Sequence, residues 1–292
     1  MTCRSRRVPL PSGLGLHLLE WGGEDGALDH TLLLLHGVLE NAWAWESAVE
    51  AGLAGAFHVL SVDLRGHGDS DRVGVGGDYH LADHLADLHE LIPLVARRKL
   101  SIVGHSLGGA IAGLYAGACP ERLFKLALLE GTGLPSSNGG PERVVEWLHG
   151  RARVRDRPSK SYASVAEAAD RLRLADPTLA PQRALRLAEK GTAPGPDGRL
   201  RFKHDPRLTA GRPFPFDAER ALAFWAKVSC PVLIVEGERS ELRLSEAEGR
   251  RRWSSFPSWR HVVVPDASHL IQRDQPAAVA ALLREFLSEP LT

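Results

Sequence analysis

Cysteine is scarce in this 292-residue chain: Cys3, Cys119 and Cys230 are the only ones, with no C-x-x-C or metal-ligand spacing. That excludes a disulfide framework and points to a reducing, cytoplasmic compartment. Net charge is lacking too, because Lys+Arg and Asp+Glu balance at 36 each, so there is no basic field to draw nucleic acid. No apolar run approaches the length of a membrane span, and Leu32 to Leu35 is long enough only for a short strand. The basic start, Met1 to Arg7, runs into Val8-Pro9-Leu10-Pro11 rather than an apolar core, so no secretion signal is expected. Without a fixed-period repeat, solenoids and propellers drop out. What remains at this length is one large α/β unit, or such a core with a smaller insertion.

What is present is an alternation of strands and helices. Residues 14–21 alternate partially, and residues 31–35, 57–63, 100–103, 126–129, 231–235 and 260–264 read as strands, several of them apolar throughout, as a parallel sheet covered on both faces requires. Leu81, Leu85, Leu88, Ile92 and Val95 recur at helical spacing, as do Leu107, Ala110, Ile111, Leu114 and Ala118, and a closing helix carries Pro276, Val279, Leu282, Leu283 and Phe286. Between residues 135 and 225 helical segments replace the alternation, at 142–156, 165–175, 182–190 and 218–228, with a loop from Gly191 to Gly198. The organisation expected is a core of residues 1–134 and 226–292 with a helical cap at 135–225 that shapes substrate choice.

Two features suggest ligands and are set aside. The loop Leu64-Arg65-Gly66-His67-Gly68-Asp69-Ser70 is glycine-punctuated but lacks the G-x-G-x-x-G order of a dinucleotide site. His80 and His84 stand four apart on a helix, near His89, Asp83 and Asp87, yet no third metal ligand accompanies them, and a solvated polar face accounts for them better. No cofactor and no metal are expected. Arg143, Arg151, Arg153, Arg155 and Arg157 enrich the cap in positive charge; an anionic substrate is one interpretation and solvated helix faces the commoner one.

The chemistry centres on Gly104-His105-Ser106-Leu107-Gly108, where an apolar strand ends, a sharp turn follows and a helix opens at once. A serine on a strained turn needs small neighbours where strand and helix crowd, which the G-x-S-x-G spacing provides. Ser106 is the candidate nucleophile, against the alternative of an ordinary Gly-Ser turn. His269, in the loop Pro265-Asp266-Ala267-Ser268-His269-Leu270 after the last strand, would open at the same carboxyl edge of the sheet, where sites of open α/β sheets form. After the strand at 31–35, His36 is expected to hold its loop by hydrogen bonds, and the Val38 N–H to point into the site.

With these pieces in order the chain resembles the α/β-hydrolase family over nearly its full length: His36-Gly37, Asp63-Leu64-Arg65-Gly66-His67-Gly68-Asp69-Ser70, Gly104-His105-Ser106-Leu107-Gly108, a helical insertion after the sixth strand, and a late His269. His36 to Ala42 and Leu187 to Thr192 further resemble its serine hydrolase-like subgroup. The resemblance implies an α/β fold, a mostly parallel sheet of about eight strands with flanking helices and an inserted helical cap. It implies Ser106 as nucleophile, His269 as general base, and the Val38 and Leu107 N–H groups as the oxyanion hole. The commonest family pattern puts the acid a few residues after the strand at 232–235, but that loop reads Gly237-Glu238-Arg239-Ser240-Glu241, with Ser240 near the expected aspartate. Relatives with the acid after the preceding strand make Glu130 the preferred candidate, then Glu238, then Glu236; Asp266 is weaker because only two residues separate it from His269. The function expected is a serine hydrolase acting on a small-molecule carboxylic ester or related acyl compound, with lactone, thioester, amide and carbon–carbon bond cleavage open. The alternative is a small-molecule binding protein that keeps the scaffold with little turnover. Oligomeric state is not legible.

Overall fold

The structure is a computed structural model that describes residues 2–22, 28–133, 140–156, 159–214 and 216–291. The strands are β1 (Arg4–Pro9), β2 (Gly15–Trp21), β3 (His30–Leu35), β4 (His58–Val62), β5 (Lys99–His105) and β6 (Lys125–Leu129). A short antiparallel hairpin follows, β7 (Thr192–Pro194) and β8 (Leu200–Phe202), and then β9 (Val232–Gly237) and β10 (Trp259–Val264). Eight of these pair in one sheet in the order β1-β2-β4-β3-β5-β6-β9-β10. β2 runs antiparallel to both of its neighbours, β1 and β4, and every pairing from β4 to β10 is parallel. This is the α/β-hydrolase architecture expected from the sequence.

Side chains alternate between the two faces of each central strand, and each face packs its own core. Leu33, Leu35, Ile102, Leu126, Leu128 and Ile234 lie on one side, against helices α1 (Leu81–Val95) and α2 (Leu107–Ala118). Leu32, Leu34, Val103, Ala127, Leu129 and Val235 lie on the other, against Val279, Ala280, Leu283 and Phe286 of the closing helix Pro276–Ser288. The chain leaves β3 for β4 on one side and reaches β5 on the other, so strand order reverses at β3, and a crevice opens at the carboxyl ends of β3 and β5.

Helices α3 (Pro141–Asp156), α4 (Val165–Ala175) and α5 (Pro181–Gly191) follow β6, and α6 (Ala218–Trp225) precedes β9. Ser164 caps α4 by accepting the Glu167 N–H at 3.2 Å. Tyr162, Ala168, Ala169, Leu179, Ala184, Leu187 and Ala188 form a small third cluster, apart from the two sheet cores. α5 is seated on the core by Arg183 and Arg186, which both reach the buried Glu46 carboxylate, at 3.2 and 2.7 Å. The expected boundary at residues 134 and 135 lies outside the described residues.

Four local expectations need correction. The loop expected from Gly191 to Gly198 contains β7 and the turn of the hairpin. The N-terminal Arg4–Pro9, read as a basic lead, pairs with β2 as an edge strand. A helix at Glu246–Trp253 has no counterpart in the expectations. The polar face of α1 is only partly solvated: His84 and Asp87 are buried, while His89 and the N-cap His80 are exposed. Asp87 is held there by Arg65, whose Nε and Nη2 each donate at 2.6 Å, so the arginine of the glycine-punctuated loop anchors the helix.

Candidate active site

Ser106 sits where β5 turns into α2, at φ 51° and ψ −112°, a backbone conformation that a non-glycine residue adopts only under constraint. The constraint is visible in its neighbours. A Cβ on Gly104 would stand 2.3 Å from the Gly108 carbonyl oxygen, and one on Gly108 would stand 2.4 Å from that of Leu35. Only glycine lets strand and helix approach this closely. Among the described residues, the other non-glycine residues at positive φ are Leu39, Glu130 and Asp266. They follow β3, β6 and β10, so all four strained residues lie in loops at the same edge of the sheet.

The Ser106 hydroxyl lies 3.0 Å from His269 Nε2, and His269 Nδ1 lies 3.2 Å from Glu130 Oε2. A carboxylate only accepts, so Nδ1 carries the proton and Nε2 is left to accept the serine hydroxyl. Glu130 is itself fixed: its Oε1 accepts the Gly237 N–H at 2.8 Å and its Oε2 accepts the Ser240 hydroxyl at 2.8 Å. Ser240, near the usual place of the acid in the sequence, thus supports a carboxylate that comes from the neighbouring strand. The other acids considered are engaged elsewhere. Glu238 accepts the Asp266 N–H, Glu236 faces His261 and Arg243, and Asp266 is exposed beside Arg239.

The N–H groups of Val38 and Leu107 have no hydrogen-bond partner among the described residues, although their neighbours are committed. Gly37 N–H donates to Glu40, Ser106 N–H to the Leu129 carbonyl, and Gly108 N–H to the His36 carbonyl. His36 is a structural tie: its Nδ1 donates to the Gly37 carbonyl at 2.7 Å and its Nε2 accepts the Leu64 N–H at 3.0 Å. Burial holds its pKa below the ordinary value, which keeps Nε2 an acceptor.

Sequence reasoning missed a polar network behind the serine. His105 Nε2 donates to the His269 carbonyl at 2.8 Å, while its Nδ1 lies 2.9 Å from Glu40 Oε2. Glu40 also faces Gln272 Nε2 at 3.4 Å and Arg273 at 3.4 Å. Burial pushes the Glu40 carboxyl up, but the His105 ring and the Arg273 guanidinium outweigh it and hold the group below the usual carboxylate range. Glu40 therefore joins the loops after β3, β5 and β10. The residue types gave a clue, a glutamate three after His-Gly and a histidine before the serine, but their partners are distant in sequence.

Among the described residues, one set is close enough to suggest a metal, His17, Asp63 and Asp69. Hydrogen bonds explain it: His17 Nδ1 lies 2.7 Å from Asp63, which also accepts the Ala42 and Asp69 N–H groups. Of the cap arginines, Arg151 pairs with Asp78, Arg155 with its neighbour Asp156, and Arg143 donates to the Arg212 carbonyl. Arg157 lies outside the described residues. Arg153 lines a cavity of about 720 Å³ that starts at Val38, Leu39 and Leu270, beside the serine and histidine loops, and runs out among α3, α4 and α5. No helix among the described residues is long and apolar enough to cross a membrane.

Comparison with known proteins agrees with the fold. Residues 32–282 match the alpha/beta hydrolase family. A serine hydrolase-like protein of Danio rerio is 24% identical over 96% of this chain and 87% of its own length. A hypothetical protein of Pseudomonas aeruginosa PAO1, 28% identical, superposes with a TM-score of 0.83 over 98% of this chain and 99% of that one. A thioesterase domain from the curacin biosynthetic pathway, 25% identical, does so with a TM-score of 0.82 over 97% and 99%. The chain belongs to the alpha/beta hydrolase family and resembles its serine hydrolase-like subgroup.

Proposed function

We propose that the protein is a serine hydrolase that cleaves a carboxylic ester or related acyl compound through an acyl-enzyme on Ser106. The observation that carries the reading is the unbroken hydrogen-bonded chain from Ser106 Oγ through His269 to Glu130. In this mechanism Ser106 Oγ attacks the carbonyl carbon while its proton passes to His269 Nε2. Glu130 holds the ring in the required tautomer and stabilises the imidazolium. The oxyanion rests on the Val38 and Leu107 N–H groups, each such donor being worth about 3 kcal/mol in the transition state. As the acyl–oxygen or acyl–sulfur bond breaks, His269 returns its proton to the leaving group. Water then attacks the acyl-enzyme, again through His269, and the carboxylic acid and free serine are released.

Thioesters belong in the substrate range, on the likeness to the curacin thioesterase domain. Residues 135–225 form the helical cap over the site, residues 1–134 and 226–292 the core, and the three free thiols fit a cytoplasmic setting. An active-site-directed fluorophosphonate, read by intact mass, tests the reading. One phosphonyl group should add to the wild type with loss of fluoride, and none to Ser106→Ala. A wild type that stays unlabelled beside a labelled control hydrolase would leave the binding-protein alternative standing.

A further inference from the structure

The cavity between core and cap is unbalanced in charge although the chain as a whole is neutral. Its walls carry Arg72, Arg153, Lys160, Arg171, Arg201 and Arg273, and among the described residues Glu40 is the one acid that lines it. Two of the cations are neutralised locally. Arg201 forks onto Asp197 at 2.5 and 2.8 Å, and Arg273 faces Glu40. The remaining four have no carboxylate within salt-bridge distance among the described residues; Arg72 donates only to the Lys203 carbonyl, at 3.0 Å.

These four come from separate places. Arg72 lies in the loop after β4, Arg153 on α3, Lys160 just beyond α3 and Arg171 on α4. All four are solvent-exposed, and core and cap bring them from these separate places to the wall of one cavity rather than leaving them along a single helix face. Charges of one sign gathered around an open cleft raise the local concentration of anions and favour an anionic occupant, in a salt-dependent way.

We infer that this cavity is an anion-binding subsite: the substrate is an acyl ester or thioester bearing a carboxylate or phosphate away from its scissile carbonyl, held by Arg72, Arg153, Lys160 and Arg171. The scissile carbonyl rests on the serine-hydrolase reading, and the anion site on the cavity alone. Guanidinium groups suit either anion, because both oxygen pairs match their fork. The same cavity is lined by apolar side chains too, among them Val38, Leu39 and Leu187, which would take the substrate's methylenes.

Two matched pairs of substrates test this. One is p-nitrophenyl hydrogen glutarate against p-nitrophenyl valerate, with the charge on the acyl side; the other is a butyryl thioester of phosphopantetheine against that of pantetheine, with the charge on the leaving group. At low salt the charged member should have at least a tenfold higher kcat/KM, and added salt should shrink the ratio. The combined variant Arg153→Gln/Arg171→Gln should lose about tenfold on the charged substrate and nothing on the neutral one, as two exposed ion pairs of ordinary strength predict. A preference in one pair alone upholds the subsite and assigns the anion to that side. Equal rates in both pairs, or a preference that survives the arginine changes, overturns it. If the wild type turns over none of the four, fluorophosphonate labelling decides the serine-hydrolase reading and calorimetry on Ser106→Ala decides the subsite. Tighter binding of the glutarate ester or the phosphopantetheine thioester than of its neutral partner, lost with the two arginines, upholds it. Equal binding within both pairs overturns it.

Discussion

Ser106 announces itself by local spacing, since a strained serine turn leaves a mark within a few residues, whereas His269 is singled out by the place of its loop after the last strand. Glu130 has no such mark. It is one acid among several at strand ends, and only the family pattern singled it out in the sequence. Its contacts to Gly237, Ser240 and His269 span more than a hundred residues, which no local pattern encodes. Within the proposed mechanism its charge matters more than its shape, because an amide in its place can present either an acceptor or a donor to Nδ1 and so permits the wrong tautomer. Glu130→Gln is expected to lower kcat for a p-nitrophenyl ester on the order of 10³–10⁴-fold. Glu238→Gln, whose carboxylate meets a loop N–H instead, should change it by less than about twofold. Equal activity of wild type and Glu130→Gln would remove this carboxylate from the chemistry.

Among the elements, strands buried on both faces were legible because their apolar runs have no other use, and long amphipathic helices because their period repeats. β7 and β8 were not, since each is three residues long and the turn between them carries Pro196, Asp197 and Gly198, which read simply as loop. The inner face of α1 was misread for a different reason: a buried aspartate looks like a surface aspartate until its partner is known. Burial raises the Asp87 carboxyl above its ordinary value, with Arg65 pulling the other way. Removing the partner alone leaves that carboxylate stranded, so Arg65→Leu should cost on the order of 3 kcal/mol in denaturant unfolding. The double change Arg65→Leu/Asp87→Leu should cost less than the single one, because no unpaired charge then remains. A larger loss in the double variant would mean that the pair itself, rather than the stranded acid, holds the helix.

For the molecule as a whole, a mostly parallel sheet with a site at its carboxyl edge followed from motif order, whereas the tie between distant loops did not. Glu40 gathers the loops after β3, β5 and β10, so its charge bears on global stability. Its carboxyl is held low in the folded chain, and the stability it contributes is present above the unfolded value of about 4.3 and is lost as pH falls through the folded one. Urea unfolding of wild type and Glu40→Gln should therefore differ by on the order of 3 kcal/mol at pH 7, with the gap closing as acid is added below about pH 4. A gap that stays constant with pH would assign the loss to packing. The proposed cap offers a contrast. Among the described residues its seven-residue cluster is separate from both sheet cores, and α5 meets the core through Arg183 and Arg186 on Glu46 and through Trp43, whereas α6 sends Ala221 and Trp225 into a sheet core. In evolutionary terms the two parts are free to change at different rates. A descendant of this chain can exchange residues around Tyr162 or Leu187, and so acquire a new appetite, while the loops that hold Ser106 and His269 are inherited untouched.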